Sequence, residues 1–156
     1  MDACTLTGRT TRTLVAMSSK YFVDTNILIY AHDRLAGEKY LRARQVVDHL
    51  WDTGEGVLST QVLQELCINL RRKLARPLSV SEVSRVVRDY LEWDVVVNKP
   101  ESILDALEIQ ERHKISFWDA LILHAAELSG ASVLYSEDLT ADRTYGRVRV
   151  VNPFAS

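Results

Sequence analysis

Four carboxylates stand where an alternating strand–helix chain presents its ligands. Asp24 closes the apolar run Tyr21-Phe22-Val23, at the carboxyl end of a predicted strand, the edge at which an α/β sheet offers ligand sites. Glu65 lies on the flank of a helical stripe made by Val62, Leu66 and Leu70. Asp119 falls in the first turn of a helix that Ser116 is placed to cap, and the nearly all-round apolar Ala120-Leu121-Ile122-Leu123 follows it. The helix N-terminus there favours the charged form of the acid. Asp138, with Glu137 beside it, follows the run Val133-Leu134-Tyr135. If that strand neighbours the first, the carboxyl ends of the two form a switch point at which Asp24 and Asp138 meet. Asp119 then approaches from the adjacent helix.

Carboxylates brought together repel, and the crowding raises their pKa values unless a cation is present. A divalent ion resolves the conflict. The donors are all oxygen: Cys4 and Cys67 are isolated, and His32, His49, His113 and His124 show no ligand spacing. The ion expected is therefore hard, Mg²⁺ or Mn²⁺ rather than Zn²⁺. Such a site orients a water, lowers its pKa and neutralises charge on a phosphodiester. Stepping 100° per residue, Glu65, Asn69, Arg72 and Arg76 fall within about 60° of one another on a helix. An acid gives way to an amide and then to two guanidiniums, the metal end and the phosphate-backbone end of one groove. Each residue taken singly also has a plainer use. Asp24 and Asp138 are good helix caps, Asp119 a dipole partner, Glu65 a solvated helix residue and Arg71-Arg72-Lys73 an exposed charge run. The ordered set of four acids carries the argument.

The elements that position these residues follow from pattern and composition. With 156 residues, 47% hydrophobic and 26% charged, the chain is the size of one compact domain and far from a disordered composition. No apolar run approaches the roughly 20 residues that span a bilayer. Nineteen basic against 21 acidic residues leave a net charge of −2, which excludes a histone-like binder while leaving room for a local basic groove. Setting aside the four acids turns −2 into +2, compatible with a polyanionic substrate. Two cysteines are too few for a disulfide scaffold, and a reduced, cytoplasmic compartment is the expectation.

Residues 1–19 are Thr-rich and carry Arg9 and Arg12 without the apolar core of a secretory signal. They are expected to form a disordered extension ahead of a domain at 20–156, with Met17 just before the first strand. Strands are predicted at Tyr21-Phe22-Val23, Gly56-Val57-Leu58-Ser59, Val95-Val96-Val97, Val133-Leu134-Tyr135 and Val148-Arg149-Val150. Helices are predicted after Ile27, over 38–51, from a cap at Thr60 to about Leu74, and from a cap at Ser79 to about Leu91. Two more run from Pro100 to about His113, with Ile103, Leu104 and Leu107 inward and Glu101, Asp105 and Glu108 wet, and from Ser116 to Leu128, closed by Gly130. Strands separated by helices predict a single three-layer α/β/α domain around a central parallel sheet of about five strands.

Val23-Asp24-Thr25-Asn26-Ile27-Leu28 resembles the opening motif of PIN domains, Glu65 their second acid and Phe117-Trp118-Asp119-Ala120-Leu121-Ile122 their third-acid motif. Tyr135-Ser136-Glu137-Asp138-Leu139 is similar to the segment with the fourth acid. Val148-Arg149-Val150-Val151-Asn152-Pro153-Phe154 is similar to a bacterial subgroup of the VapC toxins. The resemblance covers about residues 20–154; the stretch before Met17 departs from it. It implies a metal-dependent endoribonuclease acting as the toxin of a toxin–antitoxin pair, inhibited by a small antitoxin whose tail occupies the groove, and commonly a homodimer. It further implies Asp24, Glu65, Asp119 and Asp138 as the metal-binding and catalytic acids, with Asn26 and Ser136 supporting them through hydrogen bonds. Glu137 and Asp142 remain alternatives for the fourth acid. Arg72 and Arg76 would hold the RNA backbone, with Arg112 and Lys114 as further candidates. Two other classes stay open: a structure-specific DNA nuclease, for which the chain lacks the length of an arch, and a non-catalytic metal-binding interaction module.

Overall fold

The computed structural model describes residues 19–155, and the expectation of a disordered extension falls outside them. Twelve elements follow in order: β1 (Tyr21–Val23), α1 (Thr25–His32), α2 (Glu38–Thr53), β2 (Gly56–Ser59), α3 (Thr60–Leu70), α4 (Val80–Tyr90), β3 (Asp94–Val96), α5 (Pro100–His113), α6 (Phe117–Ser129), β4 (Val133–Tyr135), β5 (Thr144–Tyr145) and β6 (Val148–Val151). The strands form one sheet in the order β3-β2-β1-β4-β6-β5. Its first five strands are parallel, and β5 pairs antiparallel with β6. The sheet thus has six strands rather than about five, and its edge is mixed. A two-residue strand leaves no periodic signal, and Gly146, with φ 59°, turns it directly into β6.

The central strands are apolar because helices cover both faces of the sheet. Phe22, Val23, Leu58, Leu134 and Val150 are fully buried, as are Ile27 and Leu28 of α1 and Leu66 and Leu70 of α3. Helix α6 is buried nearly all round from Ala120 to Ala126, as its unbroken apolar run requires. Hydroxyls set three helix starts: Ser59, Ser79 and Ser116 accept from the backbone N–H groups of Val62, Glu82 and Asp119. The cap of α3 is therefore Ser59, one residue before the Thr60 that the sequence suggests.

Two readings of helix faces are corrected. Helix α3 ends at Leu70 rather than near Leu74: the Lys73 amide bonds to the Asn69 carbonyl in a turn, and the Leu78 amide returns to the Leu70 carbonyl. Arg72 and Arg76 consequently lie past the helix and do not continue the face of Glu65. In α5, Ile103, Leu104 and Leu107 point outward at 52%, 67% and 47% exposure, while Ser102, Ala106 and Ile109 face the core. The phase is set by small groups. Ser102 Oγ accepts from the Lys99 amide at 3.2 Å, Ala106 allows close approach to α6, and Asp105 reaches His124 of that helix at 3.5 Å.

At the end of the sheet opposite the acids, Trp51, Tyr90 and Trp93 pack together, with ring centroids 5.3–5.8 Å apart. His32 shares a 2.9 Å hydrogen bond with the Tyr90 hydroxyl, and burial pushes its imidazole down to about 4, so it is neutral at pH 7. Gly56 belongs to the same packing: a Cβ there would stand 2.5 Å from two atoms of the Trp93 ring. Because Trp93 is buried, Gly56→Ala is expected to cost about 1–3 kcal/mol through overpacking. Urea unfolding measures this, and an unchanged midpoint would show that the indole ring moves aside freely.

Candidate active site

Parallel pairing of β1 with β4 sets Val23 opposite Tyr135, so the next residues of the two strands emerge side by side. The Asp24 amide still reaches the Tyr135 carbonyl at 2.9 Å, and the Ser136 amide reaches Val151 of β6 at 3.0 Å. Beyond these bonds the strands diverge. The side chains then close on each other: Ser136 Oγ donates to Asp24 Oδ2 at 2.8 Å, and the Thr25 amide donates to Oδ1 at 2.7 Å. Asp24 is therefore the N-cap of α1 and is also bonded across the strand ends to Ser136; capping does not preclude a role at the candidate site. Ser136 Oγ also accepts from the amides of Asp138 and Leu139 at 3.2 and 3.4 Å, folding the segment after β4 back over the strand end.

The other acids are held from several elements. Asn26 Nδ2 donates to Asp138 Oδ2 at 2.9 Å, and its Oδ1 accepts from the Glu137 amide at 3.4 Å. Glu65 is gripped on both oxygens: Thr25 Oγ1 donates to Oε2 at 2.5 Å and Gln61 Nε2 to Oε1 at 3.0 Å. Asp119 sits in the first turn of α6 above the Ser116 cap. Glu137 is engaged by the ammonium of Lys39, and Asp142 pairs with Arg149 at 2.9 Å on the exposed surface. Of the three alternatives at the fourth position, Asp138 is the one whose carboxylate is bonded to Asn26.

The acids are close enough to feel one another. Burial pushes the Asp24 carboxyl up to about 7 against the pull of the Ser136 and Thr25 hydrogen bonds, and the charges of Glu65 and Asp138 add to the rise. Burial likewise raises Asp119, again with Asp138 and Glu65 adding repulsion. A set of carboxylates in this state is chemically matched to a hard divalent cation, which would offset both the burial and the repulsion. Among the described residues, no three His, Cys, Asp or Glu side chains converge as a ready cage. The fit is one of donor chemistry and charge, not of closed coordination.

Thr25 and Gln61 did not emerge from sequence reasoning. Gln61 had a legible signal, since it stands four residues before Glu65 on one helix face; Thr25 reaches across 40 residues of chain and had none. Arg72 and Arg76 do not share a groove with each other. Arg72 lines a concavity of about 630 Å³ between α3 and α4 with Cys67, Val83 and Val87. Arg76 lines a separate one with His32, Leu78 and Glu82.

A family model of the PIN domain matches residues 21–147. No curated protein matches the sequence. Among solved structures, a toxin–antitoxin complex from Klebsiella pneumoniae is similar at a TM-score of 0.64 and 18% identity, over 87% of this chain and 98% of that one. VapC20 of Mycobacterium tuberculosis, a sarcin-ricin loop cleaving toxin, is similar at 0.60 and 21% identity, over 76% and 90%. The Pyrobaculum aerophilum protein PAE2754 is similar at 0.53 and 24% identity, over 79% and 82%.

The Asp24 carboxyl generates a test of the site's electrostatics. Its folded value of about 7 lies above the ordinary 3.8, so folding favours the protonated form. That contribution is fully present below about pH 4 and is lost as pH rises through about 7, a loss on the order of 4 kcal/mol. In EDTA, Asp24→Asn should therefore have the higher Tm at pH 8, with the advantage shrinking steadily toward pH 4. Parallel Tm curves for the two proteins would show that Asp24 ionises without penalty.

Proposed function

The chain belongs to the PIN-domain family, and we propose that it is a metal-dependent endoribonuclease, the toxin of a toxin–antitoxin pair. The observation that carries this reading is the hydrogen-bonded arrangement at the carboxyl ends of β1 and β4, where Ser136 holds Asp24, Asn26 holds Asp138 and Thr25 holds Glu65. The VapC20 toxin that cleaves the sarcin-ricin loop and the Klebsiella toxin–antitoxin complex share the fold and support the choice of RNA as substrate and of a small antitoxin as partner. A reduced cytoplasmic setting accords with a chain in which no described helix is long and apolar enough to cross a membrane. A homodimer is supported by the outward apolar residues Ile103, Leu104 and Leu107 of α5.

In this reading the four acids hold Mg²⁺ or Mn²⁺. The ion, when bound, lowers the pKa of a water and neutralises charge on the phosphodiester. The chain's own residues do the rest. Ser136 fixes Asp24 and Asn26 fixes Asp138 by the hydrogen bonds described above, so that these carboxylates keep their orientation when substrate approaches. Arg72 and Arg76 lie beyond the end of α3 in separate concavities, and in this reading each holds the RNA backbone at its own point, away from the acids. Alanine at both positions should weaken RNA binding and flatten log K against log salt by about 1.4, at roughly 0.7 per single-strand phosphate contact. An unchanged slope would assign both guanidiniums to solvated surface.

The direct experiment is cleavage of total RNA by purified, partner-free protein in Mg²⁺ or Mn²⁺ and in EDTA. Asp119→Asn is expected to retain the fold and lose cleavage, and the wild type to give discrete products only with metal. Equal turnover by Asp119→Asn would remove that acid from the site. Intact RNA together with cut flapped DNA would move the substrate to DNA.

A further inference from the structure

Gln61 is almost fully buried, at 5% exposure, one helical turn before Glu65. Its amide nitrogen donates to two acceptors: Glu65 Oε1 at 3.0 Å on its own helix, and the backbone carbonyl of Trp118 in α6 at 3.3 Å. Both neighbours are acceptors only, so the carboxamide has one workable orientation. Turned over, its oxygen would face a carboxylate and a carbonyl. The Trp118 carbonyl belongs to the residue immediately before Asp119. One NH₂ group thus ties the carboxylate of the second acid to the main chain that carries the third.

The other end of this amide is informative. Gln61 Oε1 is buried and has no hydrogen-bond partner among the described residues. A side chain present only to fill space would be better served by an apolar group of the same length, which leaves no acceptor stranded. The amide is explained by what its nitrogen does. Thr25 holds Glu65 from the other side, so the two donors lock the rotation of the carboxylate while each oxygen keeps a lone pair for a cation.

We propose that Gln61 is a positioning residue that sets the Glu65 carboxylate against Asp119 by bridging α3 to α6. This rests on the reading of the four acids as an ion site. The role is indirect, through orientation of a ligand, and groups of this kind change metal affinity by about 10–100-fold.

The test uses Gln61→Met, which keeps the length and removes the donor, and Gln61→Glu, which keeps the shape and replaces the donor with an acceptor. Mn²⁺ affinity is read by electron paramagnetic resonance titration of the full chain, and Tm in EDTA reads the fold. For Gln61→Met we expect an Mn²⁺ Kd about 10-fold higher, an EDTA Tm no lower than wild type, and reduced kcat on RNA with KM unchanged. Gln61→Glu should lose more affinity than Gln61→Met. Wild-type Mn²⁺ affinity in the Met variant would overturn the role of Gln61 while leaving the ion site standing, as would a fall in EDTA Tm with affinity intact. Absence of Mn²⁺ binding in the wild-type protein would overturn the underlying reading for every variant alike.

Discussion

The structure depends on the parallel pairing of β1 with β4. These strands lie side by side at the centre of the sheet although 112 residues separate Asp24 from Ser136. Once Val23 is set opposite Tyr135, the next residue on each strand has nowhere else to go, and the carboxylate and hydroxyl meet at 2.8 Å. Everything around them follows from that closure. The chain leaves β1 through an N-cap and enters α1, while the chain leaving β4 folds back over the hydroxyl. Asn26 and Asp138 are thereby brought within hydrogen-bonding distance.

Against this geometry stands a cost. Four acids near one another, one of them buried, oppose the fold that assembles them. The protein meets the conflict with neutral donors rather than with cations: a hydroxyl on Asp24, a hydroxyl and an amide on Glu65, and an amide on Asp138. The nearby ammonium, Lys39, is turned to Glu137 instead. Neutral donors orient a carboxylate without cancelling its charge, so the local field remains negative and available to a cation.

Much of this was legible in the sequence, for identifiable reasons. Short apolar runs ending in an acid mark buried parallel strands and their ligand edge, which located Asp24 and Asp138. The pattern Ser-x-x-Asp before an all-round apolar helix located Asp119. What was lost depended on neighbours distant in sequence or on ambiguous punctuation. Arg71-Arg72-Lys73 are good helix formers and the first breaker is Pro77, so the end of α3 was invisible. The phase of α5 is not legible because three of its four Ile and Leu residues lie on the outward face, while Ile109 shares the inward face with only Ser102 and Ala106. The grip of Thr25 on Glu65 joins two helices that no local pattern relates.

The long span between β1 and β4 also orders events in time. Parallel pairing at such separation carries a loop-closure cost that must be met before its contacts contribute. A chain emerging from the ribosome presents Asp24 first, then Glu65, then Asp119, each on an element able to form locally. None of these makes a site until β4 slots between β1 and β6. The four acids are thus assembled only when nearly the whole domain has been made, and a chain that stops before β4 cannot bring Asp24 and Asp138 together.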